Sequence, residues 1–293
     1  MRVLCNFLIA FLLKSLVNSE KNDFNFNNLI EPTNNLNCGD GTFLLIYVHS
    51  SPENYKNRLK IRQTWGNINK YVPNDLKLLF TTGLSSESLV NDKLKLESSI
   101  YNDIIQYDYS DTYRNLTIKA VMTLKWISKS CKNVKYILKV DDDVYVNYEP
   151  LMQHLRVRFD EEKDDVNTIM CFVHKKMKVI RNRNSKWYLS KEEFARNYFS
   201  KYCSGSAYVL TGDLAKKISH TSKKVNFFWI DDYFITGIMT QILKINLVEF
   251  NSVYVLKTTK SKEMLASNKH NFIFAHVGHS KNSLDFFGFL DYF

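Results

Sequence analysis

Asp141, Asp142 and Asp143 stand in a row between two apolar stretches, Tyr136–Val140 and Val144–Val146. Carboxylates this close repel one another and resist ionising together unless a cation neutralises them. A hard divalent cation with oxygen ligands removes that cost. In an extended chain alternate side chains share a face, which puts Asp141 and Asp143 on one side and Asp142 on the other. Such a pair leaves coordination positions open for the oxygens of a diphosphate, on which the metal acts as a Lewis acid. A solvated acidic turn is the competing reading. The two strand-like runs that bracket the aspartates argue against it.

Aspartates placed this way need a frame. Phe43–Val48 is a short apolar run that suits a strand covered on both faces, as in a parallel sheet. Further strands are expected at Leu76–Thr81, Ile104–Tyr107 and Val134–Val140, alternating with helices over 54–65, 85–99 and 112–129. Asp111 or Thr112 can cap the last of these, whose Leu116, Ala120, Leu124 and Ile127 share a face. The second half offers strands at 168–173, 206–210 and 251–256, and helices near 191–200, 211–220 and 231–244. Strands alternating with helices predict an α/β sandwich with a mostly parallel sheet, in which ligands bind beyond the carboxyl ends of the strands.

With 293 residues, 45% of them apolar and 14% aromatic, the chain can bury the core of one large domain and is not disordered. The formal net charge of +10 suits an anionic ligand, a membrane surface or a nucleic acid, or is simply a basic solvated surface. Lys175 to Arg183 is a basic cluster of the kind a nucleic-acid binder would need, but it stands alone and reads as a mobile loop beside the site. No nucleic acid is expected. At the N-terminus, Arg2 followed by the apolar run Val3–Leu13 has the layout of a signal peptide or signal-anchor, over residues 1–19. Asn-rich residues 20–40 read as a stem, and the folded domain is expected over 41–293. Cys38, Cys131, Cys171 and Cys203 allow up to two disulfides in an oxidising lumen, in three pairings. Asn115-Leu116-Thr117 is a glycosylation sequon at the start of a predicted helix.

Five ordered blocks resemble the β-1,3-galactosyltransferase and β-1,3-N-acetylglucosaminyltransferase family. They are Ile61–Trp65, Asp111–Lys119, Tyr136–Asn147, Lys201–Leu210 and Ile230–Gly237. The resemblance implies a GT-A-type, Rossmann-like sandwich, manganese (Mn2+), and inverting transfer of galactose or an N-acetylhexosamine from a UDP-sugar in β-1,3 linkage. The acceptor would be a glycan on a glycoprotein or glycolipid. The implied location is the Golgi membrane, single-pass type II with a lumenal catalytic domain, or the endoplasmic reticulum or outside the cell if the N-terminal segment is cleaved.

Residue by residue, the resemblance carries the metal site onto Asp141 and Asp143, with a C-terminal histidine, His276, as a further ligand and His279 close by. Donor binding falls on Arg62 and Lys119, with Asp141 and Asp142. Arg62 serves equally well as a structural ion pair, and Trp65 belongs in the core. The base falls on Asp231 or Asp232, with Asp232 favoured. Phe227–Ile230 would desolvate that carboxylate and make it more basic, while the alternative role for either aspartate is to cap the helix that follows. Gly205 allows either a close approach or a tight turn. The chain departs from the family pattern at Thr81-Thr82-Gly83, at Tyr233 where valine is usual, and in the absence of proline from Trp187 to Tyr202. The last departure leaves the acceptor open. A catalytically inactive relative that binds sugar or a partner is the alternative function, but it should have lost these aspartates. A phosphotransferase would need a Gly-rich phosphate loop.

Overall fold

The computed structural model describes residues 24–33, 38, 41–67, 75–161, 166–266 and 271–278. The first half runs β1 (Asn28–Ile30), β2 (Leu44–His49), α1 (Tyr55–Gln63), β3 (Leu76–Leu84), α2 (Ser88–Tyr101), β4 (Ile104–Ser110), α3 (Leu116–Ser130) and β5 (Tyr136–Asp141). After it come β6 (Val144–Val146), α4 (Tyr148–Glu161), β7 (Thr168–His174), β8 (Tyr202–Thr211) and α5 (Asp213–Thr221). The next helix, α6, is built from the abutting segments Asp231–Tyr233, Phe234–Ile238 and Met239–Leu243, the middle one π-helical. Strands β9 (Asn246–Glu249) and β10 (Tyr254–Val255), helix α7 (Thr258–Ala266) and strand β11 (Phe274–His276) complete the described chain.

The main sheet has the order β1-β4-β3-β2-β5-β8-β7-β9, and β10-β11-β6 form a small second sheet. Strand β2 is parallel to both neighbours, β3 and β5, and every residue of it is buried. Alternate β2 side chains enter opposite cores. Leu45 and Tyr47 pack with residues of α3, α5 and α6, whereas Leu44, Ile46 and Val48 pack with residues of α1, α2 and α4. That two-sided burial is why the strand reads as a continuous apolar run rather than an alternating one. The expected α/β sandwich is therefore present, with antiparallel pairs at β1–β4, β5–β8 and β7–β8.

Three expectations change. Part of the stretch read as a stem belongs to the fold: Phe24 is buried, β1 extends the sheet at β4, and Trp126 Nε1 donates to Glu31 at 2.6 Å. The helix expected over 191–200 is absent. The Arg181 guanidinium donates to the carbonyls of Leu189, Ser190, Phe194 and Arg196, and the last two are acceptors that such a helix would have used itself. The strand expected over 251–256 shrinks to β10, preceded by β9. Two disulfides form, Cys38–Cys131 and Cys171–Cys203, the second across the paired strands β7 and β8. No helix among the described residues is long and apolar enough to cross a membrane. The N-terminal segment 1–19 and His279 lie outside the described residues.

Candidate active site

Register sets the site. His49 at the end of β2 is level with Asp141 at the end of β5, so the loops that follow both strands open onto the same edge of the sheet. A cleft of about 670 Å³ lies there. Its lining includes Asp141, Asp142, Asp143, Asp231, Asp232 and His276, together with Lys119 and Lys139. Six of the eight residues named in sequence for metal, donor and base thus converge with Lys119, and one does not.

The exception is Arg62. It lies on α1 outside the cleft lining and is spent on structure. It donates to both carboxylate oxygens of Asp103 at 2.8 Å and to Glu97 at 2.8 Å, with its guanidinium 4.0 Å from the centre of the Tyr101 ring. Four residues earlier on the same helix, Arg58 holds the loop that shapes the site. It pairs with Glu97 at 2.7 Å and donates to Ser50 Oγ at 3.1 Å and to the Pro52 carbonyl at 3.0 Å. Ser50 Oγ in turn donates to Asp142 at 2.7 Å, and Asn54 Nδ2 to the same oxygen at 2.9 Å. Asp142 is thereby anchored by the β2–α1 loop.

The three aspartates do not lie along one extended strand. Asp141 ends β5, and Asp142 and Asp143 form a turn into β6. Each has its own partner. Asp141 pairs with the buried Lys139 ammonium, which also donates to the Gly205 carbonyl. Asp143 Oδ2 lies 3.1 Å from His276 Nε2, brought there by the antiparallel pairing of β11 with β6. Thr258 Oγ1 lies 2.9 Å from His276 Nδ1, which leaves Nε2 as the nitrogen turned to Asp143. Among the described residues no group of three His, Cys, Asp or Glu side chains is close enough to hold a metal by itself. The set expected from sequence is thus assembled only in part: Asp143 meets His276, while Asp141 is neutralised by Lys139.

Electrostatics follow from this crowding. Burial pushes the Asp141 carboxyl up to about 7 against the pull of Lys139, with Asp143 and Asp231 adding repulsion. Burial also raises Asp232, to about 8, and its neighbour Asp231 adds to the shift. The Asp143 hydrogen bond outweighs burial at His276 and raises its pKa. Burial opposes the charge on Lys139, but Asp141 and Asp231 outweigh it and keep the ammonium protonated. His49 is held neutral by burial and by the nearby Lys139 and Lys119. Lys119 itself is tied to the Ser50 carbonyl at 2.7 Å and to Asp111 at 2.9 Å.

Asp231 and Asp232 begin α6. Asp232 Oδ1 accepts the Tyr233 backbone N–H at 2.7 Å, but the N-cap position falls to Ile230 with no side-chain capping bond, so neither aspartate takes the capping role. Gly205, facing it from β8, serves close approach rather than a turn. A Cβ there would sit 3.1 Å from Asp232 Oδ2. Tyr233, the departure from the family pattern, packs its ring among Phe194, Phe199, Tyr202 and Phe228, and a Cβ on Gly237 would strike that ring at 2.6 Å.

Sequence reasoning missed Arg58, Lys139 and an aromatic wall. Tyr113, Trp187 and Trp229 all line the cleft, Trp187 Nε1 donates to Tyr113 Oη at 2.7 Å, and the Tyr113 and Trp229 rings meet edge to face at 6.1 Å. Trp187 was flagged only as part of the acceptor-shaping stretch. Its pairing with a residue 74 positions away leaves no mark in local spacing. Within the sequon, Thr117 is fully buried and donates to the Phe228 carbonyl at 2.7 Å, while Asn115 is half-buried and donates to the Ser110 carbonyl at 2.8 Å.

Comparison with known proteins identifies the family. The galactosyltransferase family model matches residues 56–251. Human beta-1,3-galactosyltransferase 5 is 32% identical over 210 residues, covering 72% of this chain and 66% of the relative. Human lactosylceramide 1,3-N-acetyl-beta-D-glucosaminyltransferase is 37% identical over 201 residues, 66% of this chain and 52% of the relative. Human beta-1,3-galactosyltransferase 2 is 33% identical over 212 residues, 70% of this chain and 49% of the relative. The matched region thus spans just under two thirds of the first of these relatives and about half of the other two. The family match contains every candidate residue except His276 and His279, and on that match the chain belongs to the galactosyltransferase family.

Proposed function

We propose that this chain transfers galactose or an N-acetylhexosamine from a UDP-sugar to a glycan hydroxyl, in β-1,3 linkage and with inversion. The observation that carries the reading is that one cleft gathers Asp143 in contact with His276 and, from a different segment of the chain, the adjacent pair Asp231 and Asp232. Asp143 and His276 are the residues that would hold a divalent cation such as manganese, a donor set of one carboxylate and one imidazole that suits it. When bound, such a cation supplies a Lewis acid for the departing diphosphate. The remaining tasks belong to the chain. Asp232 takes the proton from the attacking hydroxyl, its basicity raised by burial and by Asp231. Gly205, with no side chain, lets that carboxylate pack closely against β8. Lys139 neutralises Asp141 and so offsets the repulsion among the floor carboxylates.

The two disulfides fit an oxidising lumen. With the apolar N-terminal run, they support the reading of a Golgi enzyme anchored through its N-terminus, acting on glycoprotein or glycolipid. Two substitutions test the roles. Asp232→Asn should keep UDP binding and lower transfer by about 10²–10⁴-fold, the range typical of a lost general base. Asp143→Ala should abolish metal-dependent UDP binding. Full transfer in the first variant removes Asp232 as base; retained metal-dependent binding in the second removes the metal assignment.

A further inference from the structure

The cleft is electrically divided. Its floor carries carboxylates, Asp111, Asp141, Asp142, Asp143, Asp231 and Asp232. The loop between β7 and β8, residues 175–201, contributes Met177, Lys178, Ile180, Lys186, Trp187 and Phe199 to the same lining. From 175 to 200 this loop holds eight Lys or Arg and only Glu192 and Glu193 as acids. Three of these cations have polar partners. Arg181 is bonded to loop carbonyls, Lys175 pairs with Glu249 at 3.0 Å, and Lys191 donates to Asn197 at 2.6 Å. Lys178 and Lys186 differ: both line the cleft, both are exposed, and among the described residues neither has a carboxylate partner.

Lys186 is the better placed of the two. Its Nζ lies 4.6 Å from the centre of the Trp187 ring and 5.2 Å from that of Tyr113, and the hydrogen bond between those two side chains fixes both rings. Two π faces hold the ammonium in position without neutralising it. The rings are 46% and 43% exposed, an unusual amount of open aromatic surface inside a cleft and a suitable bed for the C–H face of a sugar. Tyr113 also feels the charge of Asp231 and Asp232, which places this wall beside the candidate base.

We infer that Tyr113, Trp187 and Lys186 form an acceptor subsite for an acidic glycan, one whose sugar carries a carboxylate or sulfate. The inference rests on the transferase reading above and names its substrate class. The acid group pairs with Lys186 at the rim, where a charge-assisted bond is strong. Repulsion from the floor aspartates keeps that group away from Asp232 and turns an uncharged hydroxyl toward it. Orientation and selectivity then come from the same charge separation.

The test compares matched acceptors, a neutral disaccharide and the same disaccharide bearing a uronic carboxylate or a sulfate, on the full chain. Binding is read from Trp187 fluorescence quenching and transfer from product, with UDP affinity measured in parallel. Wild type should prefer the acidic acceptor about tenfold, the effect of one ion pair worth roughly 1.4 kcal/mol. Lys186→Met should bring the acidic-to-neutral ratio of KM values toward one, and Lys186→Arg should restore it. An equal preference in wild type, an unchanged ratio in Lys186→Met, or a loss of UDP affinity in place of acceptor selectivity overturns the subsite. Selective binding of the acidic glycan with no transfer to any acceptor leaves the subsite standing and defeats the transferase reading instead.

Discussion

At the scale of single residues, the site depends on the different partners given to three successive aspartates. Asp142 is neutralised by hydroxyl and amide donors, Asp143 by a histidine and Asp141 by an ammonium. Of these partners, Lys139 is the most exacting. It is 1% exposed, and it ties Asp141 at the end of β5 to the Gly205 carbonyl on β8. Removing it strands a carboxylate in a cleft already rich in them. Lys139→Met should therefore lower stability to urea unfolding by about 1–3 kcal/mol, less than for a fully buried pair because the Asp141 side chain is 38% exposed. Lys139→Met combined with Asp141→Asn should recover much of that loss, because the stranded charge is gone. Equal stabilities for Lys139→Met and wild type show that Lys139 is not what balances the floor. Asp232→Asn should behave oppositely. It removes a carboxyl whose ionisation burial and Asp231 both oppose, so the protein should unfold no more easily while transfer is lost.

At the scale of elements, the sequence states the strands and most helices clearly and the loop poorly. Runs such as Leu44–His49 are legible because burial on both faces demands unbroken apolar residues. The aspartates and His276 are legible as chemistry, but their partners are not. Arg58 and Arg62 are one turn apart on α1 and look alike in sequence; only the fold shows that Arg58 reaches Ser50 while Arg62 turns to Asp103. The stretch 191–200 has the composition of a helix, and no local rule announces that Arg181 will take its carbonyls. That clamp carries a prediction. The loop supplies Lys186 and Trp187 to the cleft wall, and their position depends on the carbonyls Arg181 holds. Arg181→Gln cannot bridge four carbonyls. The variant should be nicked by protease within 182–197 while wild type resists, and its acceptor KM should rise about tenfold, roughly 1.4 kcal/mol. UDP affinity should change little, since the donor-side residues lie on other elements. Equal protease resistance in the two proteins means the loop is held by its buried aromatic contacts and not by Arg181.

At the scale of the whole molecule, the cleft is assembled from both halves of the sheet and from the small sheet, so its ligands should stabilise the fold as a unit. Asp143 belongs to the β5–β6 turn, His276 to β11, Asp232 to α6 and Lys119 to α3. These segments span more than half the chain. A ligand that bridges them binds only the folded state and raises stability by mass action, about 2.7 kcal/mol at a hundredfold excess over its dissociation constant. The donor set decides how the two ligands combine. Asp143 and His276 give a cation only two protein donors in contact, so the remaining positions must come from water or from the diphosphate. A diphosphate alone, meanwhile, faces six aspartates in the lining, of which Asp111 and Asp141 are paired with lysines there. Neither partner should bind well without the other. Thermal melts should show small shifts with manganese alone or UDP alone and a shift of several degrees with both, reversed by a chelator. The synergy should vanish in Asp143→Ala, and His276→Ala should weaken it. A UDP shift of full size in chelator means the diphosphate is held by protein cations, with Lys186 and Lys178 as the first to examine.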